Sequence, residues 1–163
     1  MNNTEARNPN TMDIDKKTTR EMLTLIQAEN YNSVKAIEAA IASIEVACDQ
    51  ITQRMKKGGR LIYIGAGTSG RLGVADAAEC PPTYGVSPEM VNGIIAGGFE
   101  RMFSAGESTE DDGKKGEDDL RQKALTSFDS VLGISAAGNA AYVADALAYA
   151  RSIGCLTIGL TCN

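Results

Sequence analysis

The sequence contains no histidine, and aromatic residues make up only 5% of it. Histidine is the commonest general base and the commonest metal ligand in proteins. Its absence excludes Ser-His and Cys-His nucleophilic catalysis. If the chain is an enzyme, carboxylates must therefore carry most of the proton transfer.

Long apolar runs and an excess of positive charge are also missing. No segment approaches the roughly 20 apolar residues of a membrane span, and the N-terminus has no signal-peptide pattern, so we expect no membrane partner. The net charge of −5 argues against nucleic acid. The cysteines lack metal-ligand spacing, so we expect reduced thiols, a cytoplasmic location, and neither a metal nor a cofactor: Cys48, Cys80, Cys155 and Cys162.

The first third of the chain is predicted to be helical. Residues 1–12 are polar and form an arm, after which Thr18 and Glu21 resemble a capping box that opens a short helix. A second, longer helix is expected from Ser33 to Lys57, with an apolar stripe suited either to packing within the chain or to a second subunit: Val34, Ile37, Ile41 and Ile44. We assign residues 1–57 to this N-terminal part and residues 58–163 to the main domain.

The main domain is predicted to alternate strands with helices. Four short apolar runs indicate strands: 61–64, 91–96, 130–134 and 155–161. Periodic segments between them indicate helices: 72–78, 114–125 and 142–150. This order is typical of an α/β fold with a doubly wound parallel sheet. The chain stops at the tip of a strand, so we expect a fragment.

A glycine-rich turn follows the first strand. Gly65, Gly67 and Gly70 let the backbone turn sharply into a helix, whose N-terminus attracts anions. With the hydroxyls of Thr68 and Ser69, the turn predicts a phosphate site made by residues 67–70. The spacing also fits a dinucleotide fingerprint, but that pattern expects an acidic residue about 20 positions on. The next strand ends in two glycines instead. A dinucleotide site and a turn without any ligand nevertheless remain alternatives.

A second polar turn and two glutamates complete the set of candidate residues. Ser135, Gly138 and Asn139 follow the third strand, and in a doubly wound sheet they should meet the first turn at the carboxyl ends. Glu79 precedes two prolines that are expected to end its helix, so the helix dipole would oppose its ionisation. Glu110 belongs to an acidic run before a polar helix. Solvated surface positions are the plain alternative for both glutamates.

Three blocks of this sequence, 59–73, 79–86 and 93–98, closely resemble the N-acetylmuramic acid 6-phosphate etherase family. The resemblance extends through nearly the whole chain, starting at Thr4. It implies the sugar isomerase (SIS) fold and a lyase that releases D-lactate from N-acetylmuramic acid 6-phosphate, leaving N-acetylglucosamine 6-phosphate. It also implies a phosphorylated amino sugar as ligand, a homodimer, and a chain about twice as long as this one.

The resemblance gives both glutamates a role. Glu110 matches the family's base and Glu79 its acid in an elimination that is followed by hydration. Glu110 would remove the C2 proton while Glu79 protonates the leaving lactyl oxygen. Sharply different environments can keep one carboxylate ionised and the other protonated.

One segment departs from the family pattern. The family usually has Ala-Ser-Gly-Arg-Thr-Pro-Tyr where this chain has alanine at 136, 137, 140 and 141 and asparagine at 139. The second turn thereby loses a serine, an arginine and a threonine. This loss puts phosphate affinity or substrate choice in doubt, and it favours the alternative of a non-catalytic phosphosugar-binding regulator with the same fold.

Overall fold

The computed structural model describes residues 3–106 and 109–163. Four parallel strands form one sheet in the order β2-β1-β3-β4: β1 (Leu61–Gly65), β2 (Val91–Ile95), β3 (Ser130–Ile134) and β4 (Leu156–Leu160). The strand order reverses between β1 and β3, which makes the sheet doubly wound. The predicted fold class and all four predicted strands are confirmed.

The helices are α1 (Thr19–Met55), α2 (Gly67–Tyr84), α3 (Gly113–Arg121) and α4 (Ala141–Ile153). Short 3₁₀ turns occupy Asn3–Glu5, Pro9–Thr11, Ile14–Lys16 and Phe99–Met102. Right-handed crossovers place α2 on one face of the sheet and α4 on the other. Val74 of α2 packs against Gly93 of β2, whereas Val143 of α4 packs against Gly133 of β3.

α1 is a single helix of 37 residues, so the prediction of two helices was wrong. The expected capping box is present: the Thr18 amide donates to Glu21 Oε2 over 2.8 Å, and the Glu21 amide donates to Thr18 Oγ1 over 3.4 Å. Neither glycine nor proline interrupts the segment between the two predicted helices, so nothing breaks the backbone hydrogen bonding. None of the helix's described residues is buried.

The two faces of the sheet are covered to different extents. On the closed face, under α3 and α4, the side chains of the main core are fully buried: Ile62, Ile64, Val131, Leu120 and Tyr142. On the open face, under α2, Tyr63, Leu132 and Ile134 are only half-buried. Leu72 of α2 is 63% exposed. The folding energy from apolar burial is thus concentrated on the closed face.

An ion pair joins the amino ends of the two central strands. Arg60, just before β1, donates from Nη2 to Asp129 Oδ2 over 2.8 Å and from Nε to Asp129 Oδ1 over 3.1 Å. The backbone amides of Arg60 and Thr126 also donate to this carboxylate. Burial works to raise the pKa of Asp129, but these hydrogen bonds outweigh it and hold that pKa below its usual value.

The described part of the chain has no disulfide bond. All four cysteines are free thiols. Across residues 3–106 and 109–163, no helix combines the length and the apolar character that crossing a membrane would need. The same residues contain no cluster of three or more cysteine, aspartate or glutamate side chains placed to hold a metal ion.

Candidate active site

The glycine-rich turn is built by a close approach between strand and helix. α2 begins at Gly67, directly beyond β1, and Gly67 has a φ of 54°, a left-handed value that favours glycine. A Cβ on Gly70 would lie 2.5 Å from the Gly65 carbonyl oxygen and 2.8 Å from Ile95 Cγ1. The spacing of the glycines therefore serves the turn and the tight packing of α2 on the sheet.

The first turn of α2 offers backbone donors to a ligand. Its N-cap, Ala66, has no side chain that could accept from the helix amides. The Gly70 amide donates to the Ala66 carbonyl over 3.2 Å, so the available amides are those of residues 67–69 rather than the predicted 67–70. The Ser69 side chain lines a cavity, whereas Thr68 is exposed and outside that lining.

The second turn is closed by its own serine. The Gly138 amide, at a φ of 75°, donates to Ser135 Oγ over 3.2 Å and to the Ser135 carbonyl over 3.0 Å. Because Ser135 Oγ accepts this bond, its own hydroxyl proton remains available to a ligand. The Ser135 amide donates to the Leu160 carbonyl, which ties the turn to β4.

The two turns meet at one cavity of about 250 Å³, as predicted for the carboxyl ends of the strands. This volume lies just below the range of about 300–1,000 Å³ that is typical of ligand pockets, so the cavity suits a small ligand. Its lining combines hydroxyl, amide, carboxylate and small apolar side chains: Glu5, Ala66, Ser69, Glu110, Ile134, Ser135, Ala136, Ala137, Asn139 and Ala140. Four predicted site residues, Ser69, Glu110, Ser135 and Asn139, are thus brought together.

Glu110 is held at the cavity by its backbone. Its carbonyl accepts a hydrogen bond of 3.0 Å from the Tyr142 amide in the first turn of α4. This bond satisfies a helix amide that would otherwise lack a partner, and it fixes Glu110 next to the second turn. Within residues 3–106 and 109–163, no lysine or arginine forms an ion pair with its carboxylate.

The acidic run around Glu110 is only partly described. Asp112 is the N-cap of α3, with its Oδ1 accepting from the Lys115 amide over 2.9 Å. One member of the run therefore serves to cap the helix that follows it. Glu107 and Ser108, which belong to the same run, lie outside the described residues.

Glu79 does not lie in the last turn of its helix, so that prediction was wrong. α2 continues through Pro81 and Pro82 to Tyr84. It ends at Gly85, whose left-handed backbone lets its amide donate to the Pro81 carbonyl over 2.9 Å. Since the negative end of the helix dipole acts within the last turn, the predicted dipole effect on Glu79 loses its basis.

Glu79 lines a different cavity from Glu110. This second cavity, of about 520 Å³, lies on the open face and is also lined by Tyr63, Leu72, Asp76 and Ile134. Burial, with a hydrogen bond to Asp76, raises the pKa of Tyr63, so its hydroxyl stays protonated at neutral pH. Ile134 is the residue that the two cavities share.

The geometry of α2 gives the distance between Glu79 and the glycine-rich turn. Glu79 follows Gly67 by 12 residues, which corresponds to about 18 Å along the axis of α2. That distance is longer than a hexose phosphate. One copy of the chain therefore does not bring both glutamates to the glycine-rich turn.

Glu5 is a charged lining residue that the sequence did not predict. It ends the first 3₁₀ turn of the N-terminal arm and lines the 250 Å³ cavity. The arm shows no periodicity, and we interpreted it as an unpatterned polar segment. The resemblance that begins at Thr4 was the one available signal.

The sheet order, the crossovers and the two polar turns define an SIS-type α/β protein. The structure of phosphoheptose isomerase from Neisseria gonorrhoeae superposes with a TM-score of 0.67 and 20% sequence identity. The match covers 88% of this chain and 75% of that chain. At this identity the likeness establishes the fold alone.

Sequence comparison gives the family. Residues 43–151 match the model described as the glucokinase regulatory protein N-terminal SIS domain, and the chain belongs to this family. Among its relatives, N-acetylmuramic acid 6-phosphate etherase of Caldanaerobacter subterraneus subsp. tengcongensis is 58% identical over 160 residues, which are 98% of this chain and 52% of the relative. The Clostridium beijerinckii etherase is 51% identical, with 98% and 53% covered. The chain thus spans about half the length of these curated relatives.

Proposed function

We propose that the protein is a lyase that cleaves the D-lactyl ether of N-acetylmuramic acid 6-phosphate. The observation that carries this proposal is the meeting of Ser69, Ser135 and Glu110 in one cavity at the carboxyl ends of the strands. The similarity to relatives named etherases supports it independently. The products are D-lactate and N-acetylglucosamine 6-phosphate, and the reaction belongs to the recycling of peptidoglycan in the cytoplasm.

The phosphate group is bound at the first turn of α2. The amides of residues 67–69 and the Ser69 hydroxyl donate to its oxygens, with the positive end of the helix dipole behind them. Ser135, which lines the same cavity, donates a further hydrogen bond. Hydrogen bonds to a charged group contribute about 1.5–3 kcal/mol each, which is enough to orient the sugar by its phosphate end.

The chemical step is an elimination followed by an addition. Once the sugar ring opens, the C1 aldehyde acidifies the C2 proton, and the Glu110 carboxylate takes that proton. The C–H electron pair forms the C2–C3 double bond, the C3–O bond breaks, and lactate leaves as its oxygen gains a proton. Water then adds at C3 and a proton returns to C2. General acid–base catalysis of this kind contributes about 10²–10⁴-fold.

Glu79 supplies the proton for the leaving oxygen, and we assign it to the neighbouring subunit of a homodimer. The separation of about 18 Å along α2 argues against both glutamates acting in one copy. The open face, where Glu79 lies, is incompletely covered, and Leu72 beside it is 63% exposed. α1 presents a further apolar stripe of exposed Val34, Ile37, Ile41 and Ile44. Exposed apolar surface of this extent is typical of subunit contacts.

The test separates the two glutamates by the step that each performs. In the full-length protein, meaning the chain as its gene encodes it, Glu110→Gln should abolish both deuterium exchange at C2 and lactate release. Glu79→Gln should keep the exchange while lactate release falls about 10²–10⁴-fold. Wild-type exchange in Glu110→Gln would overturn the assignment of the base. Wild-type lactate release in both variants would overturn the roles of both glutamates, and a wild-type protein that releases no lactate would overturn the lyase itself.

Mixing the two variants tests the shared site. In a mixed dimer, one site receives Glu110 from one subunit and intact Glu79 from the other, so activity should return to about half of the wild-type value per mixed dimer. No recovery in dimers shown to be mixed would mean that both glutamates act from the same subunit.

A regulator that binds a phosphosugar without converting it is the second candidate. The second turn lines the cavity with Ala136, Ala137 and Ala140, which cannot donate side-chain hydrogen bonds. The matching family model also takes its description from a regulatory protein. A lactate-release assay on the wild-type protein decides between the two, because the regulator binds the sugar phosphate without releasing lactate.

A further inference from the structure

The cavity between the two turns has one wall that comes from the start of the chain. Glu5 lines it together with Ser69 and Glu110, although α1 and the remainder of the arm separate Glu5 from both in sequence. A carboxylate at this position is not needed for the fold. Glu5 is exposed, and none of the described residues forms an ion pair or a side-chain hydrogen bond with it.

The arm is attached to α1 at a defined point. Asn10 Nδ2 donates to Glu29 Oε1 over 2.8 Å, and Asn8 also hydrogen-bonds the Glu29 carboxylate. These bonds, with a further one from Asn32, lower the pKa of Glu29, so its carboxylate stays ionised and keeps accepting them. Asn8 Oδ1 in turn caps the turn that follows by accepting from the Asn10 amide over 2.9 Å. Glu5 therefore extends towards the cavity from an anchored segment.

The charges in the cavity dictate which part of a sugar phosphate can lie next to Glu5. Like charges repel more strongly in a partly enclosed cavity than in bulk water, so a phosphate group is excluded from the side of the carboxylates. The phosphate is then left to Ser69 and the amides in the first turn of α2. The uncharged hydroxyl and acetamido groups of the sugar can lie next to Glu5.

We propose that Glu5 is a substrate-binding residue that accepts hydrogen bonds from the hydroxyl or amide N–H groups of the phosphosugar and thereby fixes its orientation. An ionised carboxylate accepts about four hydrogen bonds and donates none, which suits the donors of an amino sugar. This inference rests on the proposed function, because it assumes that a phosphosugar occupies the cavity. It adds a sugar-binding residue from the arm to a site otherwise built by the sheet.

The test compares two ligands that share the phosphate and differ in the sugar. Calorimetry on the full-length protein measures the affinity for N-acetylglucosamine 6-phosphate and for inorganic phosphate. Glu5→Gln should weaken binding of the sugar phosphate about tenfold, because hydrogen bonds to an ionised acceptor are lost. Inorganic phosphate should bind the variant as well as, or better than, the wild type, since a negative charge is removed.

Two further variants serve as controls: one changes a carboxylate outside the cavity, and the other loosens the attachment of the arm to α1. Asp15→Asn makes the same chemical change just beyond the arm, at a residue outside the cavity lining, and it should alter neither affinity. Asn10→Ala removes the hydrogen bond to Glu29, and it should weaken the sugar phosphate selectively, though less than Glu5→Gln. An equal loss of both ligands in Glu5→Gln would assign Glu5 a structural role and overturn the proposal.

Ser69→Ala separates failure of this inference from failure of the proposed function. If Ser69→Ala weakens both ligands while Glu5→Gln leaves the sugar phosphate unchanged, the inference is wrong and the phosphosugar site stands. If the wild-type protein binds N-acetylglucosamine 6-phosphate no more tightly than inorganic phosphate, there is no sugar-binding role for Glu5. In that case a lack of lactate release would overturn the proposed function as well.

Discussion

The two ends of the central strands use carboxylates in opposite ways. At the amino ends, Asp129 is buried and its charge is matched by Arg60 and two backbone amides. At the carboxyl ends, Glu110 and Glu5 line a cavity, and no described lysine or arginine is paired with them. Interactions completed within the chain stabilise the fold, whereas groups left without partners are available to a ligand.

The largest effect is expected at the amino ends. Asp129→Asn should destabilise the protein by about 3 kcal/mol, because it leaves a partly buried Arg60 without its counter-charge. The pKa of Asp129 is lowered by folding, so its contribution is fully present above the unfolded value of about 3.9. That contribution should be lost as the pH falls through the folded pKa.

Urea unfolding of both proteins between pH 3 and pH 7 checks this prediction, using only the pH values at which the wild type is folded. The difference in unfolding free energy should be constant near neutrality and shrink in acid. Asp49→Asn, on the exposed surface of α1, is the matched control and should remain close to wild type. A difference that grows in acid would contradict the stabilising role of the ionised carboxylate.

A smaller effect is expected from a glycine of α2 that lies against the sheet. Gly70→Ala should cost about 1–3 kcal/mol, because its Cβ would collide with the Gly65 carbonyl and Ile95. Gly159→Ala is the control, since nothing lies within 4 Å of a Cβ at that position. It should be neutral or slightly stabilising. Thermal unfolding of both variants measures the difference, and equal values would show that the close approach at Gly70 is not restrictive.

The smallest change in stability is expected from the carboxylate of the cavity. Glu110→Gln makes the same chemical change as Asp129→Asn, yet it should alter the unfolding free energy by less than about 0.5 kcal/mol. Glu110 is exposed, and the contact that fixes it is made by its backbone carbonyl, which glutamine retains. A loss comparable with that of Asp129→Asn would mean that Glu110 is structural, and the comparison between the two ends would fail.

The strands could be predicted from the sequence because each is a compact apolar run followed by a polar or glycine-rich turn. β3 was predicted with its bounds, and the meeting of Ser69 with Ser135 followed from the rule for doubly wound sheets. The helix ends were harder to predict. Pro81 and Pro82 were interpreted as a stop, but α2 continues through them to its cap at Gly85.

The position of Glu5 could not be predicted from local sequence. Local patterns report the residues that pack along one element, whereas the cavity is assembled from an arm, two turns and a helix N-terminus. For the same reason, the family resemblance implied Glu79 and Glu110 as a pair without indicating that they line different cavities. Long-range geometry of this kind depends on how completed elements dock.

The pairing of β1 with β3 also determines when the sheet can form during synthesis. Leu61 pairs with Ser130, so one hydrogen-bonding edge of β1 has no neighbour until the ribosome has passed β3. The side chains of Ile62 and Ile64 become buried later still, because they pack against residues of α4. Such non-local contacts delay folding. The nascent chain therefore carries the apolar side chains of its future core exposed until α4 has been synthesised, a stage at which a chaperone is most useful.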